Sequence, residues 1–241
     1  MLQKTRGIVI STTNYSEASV IAKIYTEEFG LQSFLLNGVR KSKSRFNNNL
    51  LHSLSTVELV AYYKPGKTLH RISELSASPQ LSSIPYDTVK IALVIFLAEV
   101  LLRSIREEET NKELFNFLHH SIELLDLQQQ DCSRFHLCFM IQLARYLGFH
   151  PQGNYSAVSG YFDLQEGSYQ NSSPLHPHFL EPALSEKFHQ LTRINFEELH
   201  TIKINMIERK QLLHALITYY ELHHTHGIKL KSYSVLEEVM G

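Results

Sequence analysis

Four cations fall within six residues in Arg40-Lys41-Ser42-Lys43-Ser44-Arg45. Gly38 and Val39 precede them and Asn47-Asn48-Asn49 follow, so the segment has the composition of a loop. Closely spaced cations on such a loop match the charge of a phosphate backbone and can conform to it. Ser42 and Ser44 add hydroxyl donors suited to phosphate oxygens. The run is not a P-loop, because the second Gly of G-x-x-x-x-G-K-[ST] is missing. A solvated charged loop is the other meaning of the same residues.

The regional charge favours an anionic partner. Residues 1–80 hold ten Lys/Arg against five acids, a balance of +5, and the remainder carries −6 from 13 bases and 19 acids. The overall net charge of −1 hides this split. Tyr15, Tyr25, Phe29, Phe34, Phe46, Tyr62 and Tyr63 lie in the basic part. Rings of this kind stack on bases or fill a core. Tyr25 and Tyr62 share strand faces with Lys23 and Glu58, which makes them the expected exposed pair.

Catalytic patterns are scarce. G-x-S-x-G is absent, and Asp occurs only at 87, 126, 131 and 163. Residues 1–80 therefore lack the Asp-rich clamp of a two-metal nuclease. Fourteen histidines raise the question of a metal, with Cys132-x3-His136-x-Cys138, His176-Pro177-His178 and His223-His224-x-His226 as candidates. None has H-E-x-x-H or paired C-x-x-C spacing, and Cys138 falls off the helix face shared by Cys132 and His136. No metal and no catalytic residue are expected. Two cysteines six apart on one predicted helix suggest reduced thiols in a cytoplasmic protein, and no signal peptide is expected at the start.

The elements that must position the basic run read as strands. Gly7–Ser11, Val20–Thr26, Leu31–Leu36, Thr56–Tyr63 and Thr68–Leu75 are short and alternate with period two, and Lys64-Pro65-Gly66-Lys67 is a turn. Five strands in so short a stretch suit a small closed barrel, with the OB-fold as the five-stranded option. Ser and Pro then mark a linker at Ser76–Pro85. Beyond it the pattern is helical. Tyr86–Arg106 is apolar almost all round, and its run Ile91–Leu102 is too short to span a bilayer. Thr110-Asn111-Lys112-Glu113 matches a capping box, Cys132–Leu147 is a third helix, and Leu184–Leu191 and Phe196–His200 are shorter. Asn205 caps a last long helix running to about His224. A hairpin is expected at Tyr161–Tyr169, inside a polar stretch near 152–182. The expected fold is α+β and multi-domain: an OB-fold barrel over 1–80, then an α-helical domain over 81–241.

Several segments resemble the RecO-type recombination mediator family. Arg6-Gly7-Ile8-Val9-Ile10 followed by Tyr15-Ser16-Glu17-Ala18 is similar to its opening. Thr26-Glu27-Glu28-Phe29-Gly30-Leu31 resembles its "T-x-x-x-G-L", and Asn37-Gly38-Val39-Arg40-Lys41-Ser42-Lys43-Ser44 its "K-G-x-R-x-x-x-S" loop. Gly227–Leu236 resembles its C-terminal "lkS-x-x-x-L". The resemblance implies binding of single- and double-stranded DNA, annealing of complementary strands, and loading of RecA with RecR and single-strand-binding protein. It places Arg40, Lys41 and Lys43 on DNA. Many members carry a four-cysteine zinc module, whereas the matching stretch near Tyr161–Tyr169 has no cysteine, so a zinc-less hairpin is expected.

The expected DNA-facing set is Arg40, Lys41, Lys43 and Arg45, with Lys23, Lys64, Lys67 and Arg6 from the same basic region and Tyr25 and Tyr62 as stacking rings. The tail of single-strand-binding protein is acidic and apolar, so Arg103, Arg106, Arg134 and Arg145 are the helical candidates for a basic-rimmed docking groove. A nucleoid-associated, cytoplasmic, non-enzymatic mediator is the expected function. The alternatives are a helical protein-interaction module or a metal-dependent hydrolase.

Overall fold

The computed structural model describes residues 1–39, 46–105, 109–129, 131–224 and 228–240. Five strands open the chain: β1 (Leu2–Asn14), β2 (Val20–Thr26), β3 (Gly30–Leu36), β4 (Thr56–Tyr62) and β5 (His70–Ala77). They close into a barrel in the order β1-β2-β3-β5-β4. All pairings are antiparallel except β3–β5. β1 is far longer than Gly7–Ser11, because it pairs with β4 through its first half and with β2 through its second, changing register between Val9 and Ser11.

Alternation explains the barrel core. Val20, Ala22 and Ile24 of β2, Phe34 and Leu36 of β3, Val57, Leu59 and Ala61 of β4 and Ile72 of β5 all turn inward and are buried. Gly7 is required where β1 crosses this core. A Cβ there would stand 2.6 Å from Ile24 Cγ2 and 3.0 Å from Leu59 Cδ2. The Lys64–Lys67 turn forms as expected, with Gly66 at φ +77° and the Lys67 N–H donating to the Lys64 carbonyl at 3.3 Å.

Helices α1 (Thr88–Ser104) and α2 (Lys112–Leu127) belong to the same compact unit as the barrel, Met1–Leu127. Asp87 caps α1 by accepting from the Lys90 N–H at 3.0 Å. The α2 cap is Asn111 rather than Thr110. Asn111 Oδ1 accepts from the Leu114 N–H at 2.9 Å, while the Thr110 hydroxyl donates to the Glu28 carbonyl at 2.8 Å. The cap thus falls one residue later than expected, directly before the first residue of α2.

The polar stretch between β5 and α1 is held by Asp126 near the end of α2. Its carboxylate accepts from the backbone N–H groups of Ser82, Ser83 and Ile84 at 2.8, 2.8 and 2.9 Å and from the Ser82 hydroxyl at 2.9 Å. Lys90, buried at 4% exposure, donates to the Asp126 carbonyl at 3.1 Å and to Ser83 Oγ at 2.7 Å. Burial pushes the Asp126 carboxyl up, but these donors outweigh it and hold the group down at about 2.

The second compact unit, Gln128–Gly241, contains α3 (Phe135–Tyr146), a small sheet, α4 (Pro182–Arg193), α5 (Met206–His223) and α6 (Tyr233–Met240). Phe196–Thr201 is a 3₁₀ turn. The sheet strands β6 (Tyr161–Asp163), β7 (Ser168–Gln170) and β8 (Phe179–Leu180) lie in the order β7-β6-β8, one strand more than the expected hairpin. Phe162 packs on Phe188 and Tyr219, with ring centroids 4.6 and 6.1 Å away. Asn205 and Glu208 form the expected capping box of α5. Cys132 precedes α3 instead of sharing it with Cys138. Among the described residues, no helix is long and apolar enough to cross a membrane.

Candidate nucleic-acid interface

The outside of the barrel is set by strand register, because directly opposed residues point to the same side of a sheet. Lys23, in the middle of β2, stands opposite Ser11 of β1 and Ser33 of β3. Two residues away along β2, Ile21 faces Thr13 and Leu35. Leu35 in turn faces Arg71 of β5, and Arg71 faces Tyr62 of β4. A continuous lane therefore runs round the barrel as Thr13, Ile21, Leu35, Arg71 and Tyr62, with Lys23 and Ser33 beside it. Tyr62 is 54% exposed.

Cations border this lane. Lys64 and Lys67 flank the turn that joins β4 to β5 and are exposed, as are Lys23 and Arg71. Among the described residues none of these four has a salt-bridge partner, in contrast to Lys4, which pairs with Glu58 at 2.8 Å. Arg71 was not in the expected DNA-facing set. The alternation of β5 puts it outward, but only the pairing with Tyr62 and Leu35 places it in the lane, and pairing is not visible in one strand.

Two expected contacts are corrected. Tyr25 is 1% exposed and cannot stack on a base. Its ring lies against Phe115 of α2, centroids 6.4 Å apart, so a helix covers the outward side of β2 that alternation leaves open. Arg6 is committed to Glu27 through two hydrogen bonds of 2.9 and 2.8 Å, and its guanidinium lies 5.3 Å from the Phe115 ring centre. The hydrogen bond from Arg6 holds the Glu27 carboxyl below its ordinary value. Residues Arg40, Lys41, Lys43 and Arg45 lie outside the described residues.

The helical arginines divide. Arg106 lies outside the described residues. Arg103, in the last turn of α1, is half-exposed and 4.0 Å from Glu99. Arg134 is spent internally, donating to the Ile202 carbonyl at 2.7 Å and standing 3.3 Å from Asp131. Arg145 is exposed and lies eleven residues further along, about 16 Å at 1.5 Å per residue.

Among the described residues, no group of three His, Cys, Asp or Glu side chains is close enough to hold a metal ion. Burial pushes the Cys138 thiol up to about 12, which removes the thiolate needed for ligation or attack. In the small sheet, Asp163 ties the β6–β7 turn. Its Oδ1 accepts from the Gln165 and Glu166 N–H groups at 2.8 and 3.1 Å, and its Oδ2 lies 3.2 Å from His176 Nε2.

The fold is that of a mixed α+β protein with an OB-like closed barrel followed by helices. Residues 1–79 match the family model for the N-terminal part of recombination protein O, and residues 85–233 match the model for its C-terminal part. DNA repair protein RecO of Phocaeicola vulgatus is 38% identical over 239 residues, covering 99% of each chain. The protein of that name from Bacteroides fragilis is 38% identical over 240 residues at the same coverage. That from Christiangramia forsetii is 36% identical over 242 residues and all of both chains. The chain belongs to the RecO family of DNA repair and recombination proteins.

Proposed function

We propose that this chain is a recombination mediator that binds single- and double-stranded DNA and anneals complementary strands without covalent chemistry. With RecR, and through the acidic tail of single-strand-binding protein, it helps load RecA onto coated strands in the cytoplasm, at the nucleoid. The barrel region over residues 1–80 is the DNA-binding domain, and the helical region over 81–241 carries the partner surfaces.

One observation carries the DNA-binding reading. The exposed Tyr62 ring faces Arg71 on the outside of the barrel, with the exposed Lys64 and Lys67 flanking the turn between their strands and Lys23 pointing outward on β2. Stacking rings and backbone-tracking cations are the two components of sequence-tolerant single-strand binding. The run Arg40–Arg45 follows β3 in the chain and adds charge. The name DNA repair protein, borne by the relatives, agrees with a nucleic-acid ligand.

The test is fluorescence anisotropy of a labelled single-stranded oligonucleotide over a range of salt. About five phosphate contacts give a log–log slope near −3.5, at about 0.7 per contact. Arg40→Glu combined with Lys41→Glu lowers affinity equally for unrelated sequences. Affinity that does not respond to salt overturns the proposal.

A further inference from the structure

A cleft of about 340 Å³ opens between the outward face of β2–β3 and the C-terminal end of α1. Lys23 and Ser33 come from the barrel, with Leu31 two residues further along the same outward face of β3. Thr68 comes from the segment entering β5, and Leu102, Arg103 and Ile105 come from the helix end. Two exposed cations thus line the cleft together with the apolar Leu31, Leu102 and Ile105 and the polar Gln32, Ser33 and Thr68.

We propose that this cleft holds one unpaired nucleotide of a single strand, with its phosphate between Lys23 and Arg103 and its base against Leu31 and Leu102. This inference rests on the DNA-binding reading above and sharpens it to a site. The size agrees, since 340 Å³ lies at the lower end of small-ligand pockets, about 300–1,000 Å³. The chemistry agrees as well. A base has apolar faces and a phosphate needs cations, and the cleft presents both. An open sheet face would accept any backbone, but the α1 wall makes this a recess. A base reaches a recess only when it is unstacked, and that costs least in a single strand. The cleft therefore discriminates between single strand and duplex, which a surface of cations alone does not.

Arg103 is suited to the role. It is half-exposed, and its contact with Glu99 is long at 4.0 Å. Lys23 has no salt-bridge partner among the described residues, and its neighbours across the ladder are the serines Ser11 and Ser33.

The experiment uses the full chain and three probes: a labelled oligothymidine, a fully abasic strand of the same length, and a duplex of equal length. The expected result is that Arg103→Ala and Leu102→Ser each weaken oligothymidine binding about tenfold, within what one base contact supplies. The abasic strand is already weaker for the unaltered chain, and Leu102→Ser weakens it no further. Duplex affinity changes less than threefold in each variant. Leu102 is partly exposed, so thermal melting of each variant is recorded. If Leu102→Ser unfolds, Arg103→Ala against the abasic strand and the duplex decides alone. Equal losses on all three probes show that Arg103 is only a generic charge and overturn the cleft, as does oligothymidine binding left unchanged by Arg103→Ala. Failure of the unaltered chain to bind any probe at low salt overturns the DNA-binding reading itself.

Discussion

Tyr62 and Arg71 are direct partners across the β4–β5 ladder, both on the outside of the barrel, while the neighbouring pair Ala61 and Ile72 points into the core. A ring and a guanidinium are thereby presented side by side on a rigid sheet. Tyr62→Ala is expected to cost about 1–3 kcal/mol of single-strand affinity, and Tyr62→Phe to keep most of it, because stacking uses the ring. Arg71→Ala is expected to reduce the magnitude of the salt slope by about 0.7, one phosphate contact. Anisotropy titrations at several salt concentrations measure both effects.

Arg6 gives the opposite expectation, although it too is a cation of the basic region. Its two hydrogen bonds to Glu27 and its position over Phe115 tie β1 to β2 and to α2. Arg6→Ala is expected to lower stability by about 1 kcal/mol and leave the salt slope of DNA binding unchanged. Urea denaturation alongside the binding titration separates Arg6 from Lys23, whose removal should change the slope and leave stability alone.

Asp126 makes folding acid-sensitive. Its carboxyl is held at about 2 when folded, against an ordinary 3.8, so the unfolded chain takes up the proton first. The stability this confers is complete well above pH 4, of order 2 kcal/mol, and is lost as pH falls through 3.8 toward 2. Asp126→Asn should be less stable at neutral pH and should flatten the stability profile across that acid window. Denaturant midpoints from pH 6 down to pH 2 provide the check.

His136 acts at a milder pH. Burial, with the Arg209 charge adding to it, brings its imidazole down to about 3 from 6.5, so it stays neutral in the fold and becomes charged on unfolding below pH 6.5. Stability should therefore decline as pH drops from 7 to 5, with close to one proton taken up per unfolding event attributable to this side chain. In His136→Leu that share of the proton uptake disappears. A slope unchanged by the substitution would assign the dependence to other groups.

The barrel strands could be read from residue order because their inner faces alternate cleanly, as Val20, Ala22 and Ile24 do. The turn at Pro65-Gly66 and the cap at Asn205 were legible for the same local reason. What could not be read is what covers a strand from outside. Tyr25 looks exposed by alternation, and only Phe115, ninety residues away in sequence, buries it. Thr110 instead donates to the carbonyl of Glu28, another distant partner, and Asn111 is the cap. The interface shows the same limit. That Lys23, Lys64, Lys67 and Tyr62 are exposed is readable from residue type and alternation, whereas the place of Arg71 beside Tyr62 needs the ladder and the cleft at Arg103 needs a helix end against a sheet.

The seat of Phe115 against the barrel has a consequence for dissecting the chain. Serine- and proline-rich composition suggests a natural cutting point near residue 80, yet Phe115 of α2 lies against Tyr25 and Arg6 of the barrel. Severing there would strip Tyr25 and Arg6 of Phe115 and take from the Glu28 carbonyl its Thr110 donor. A fragment meant to keep the barrel surface as it stands here should therefore run to residue 127, the end of the compact unit that holds the barrel together with its two attendant helices.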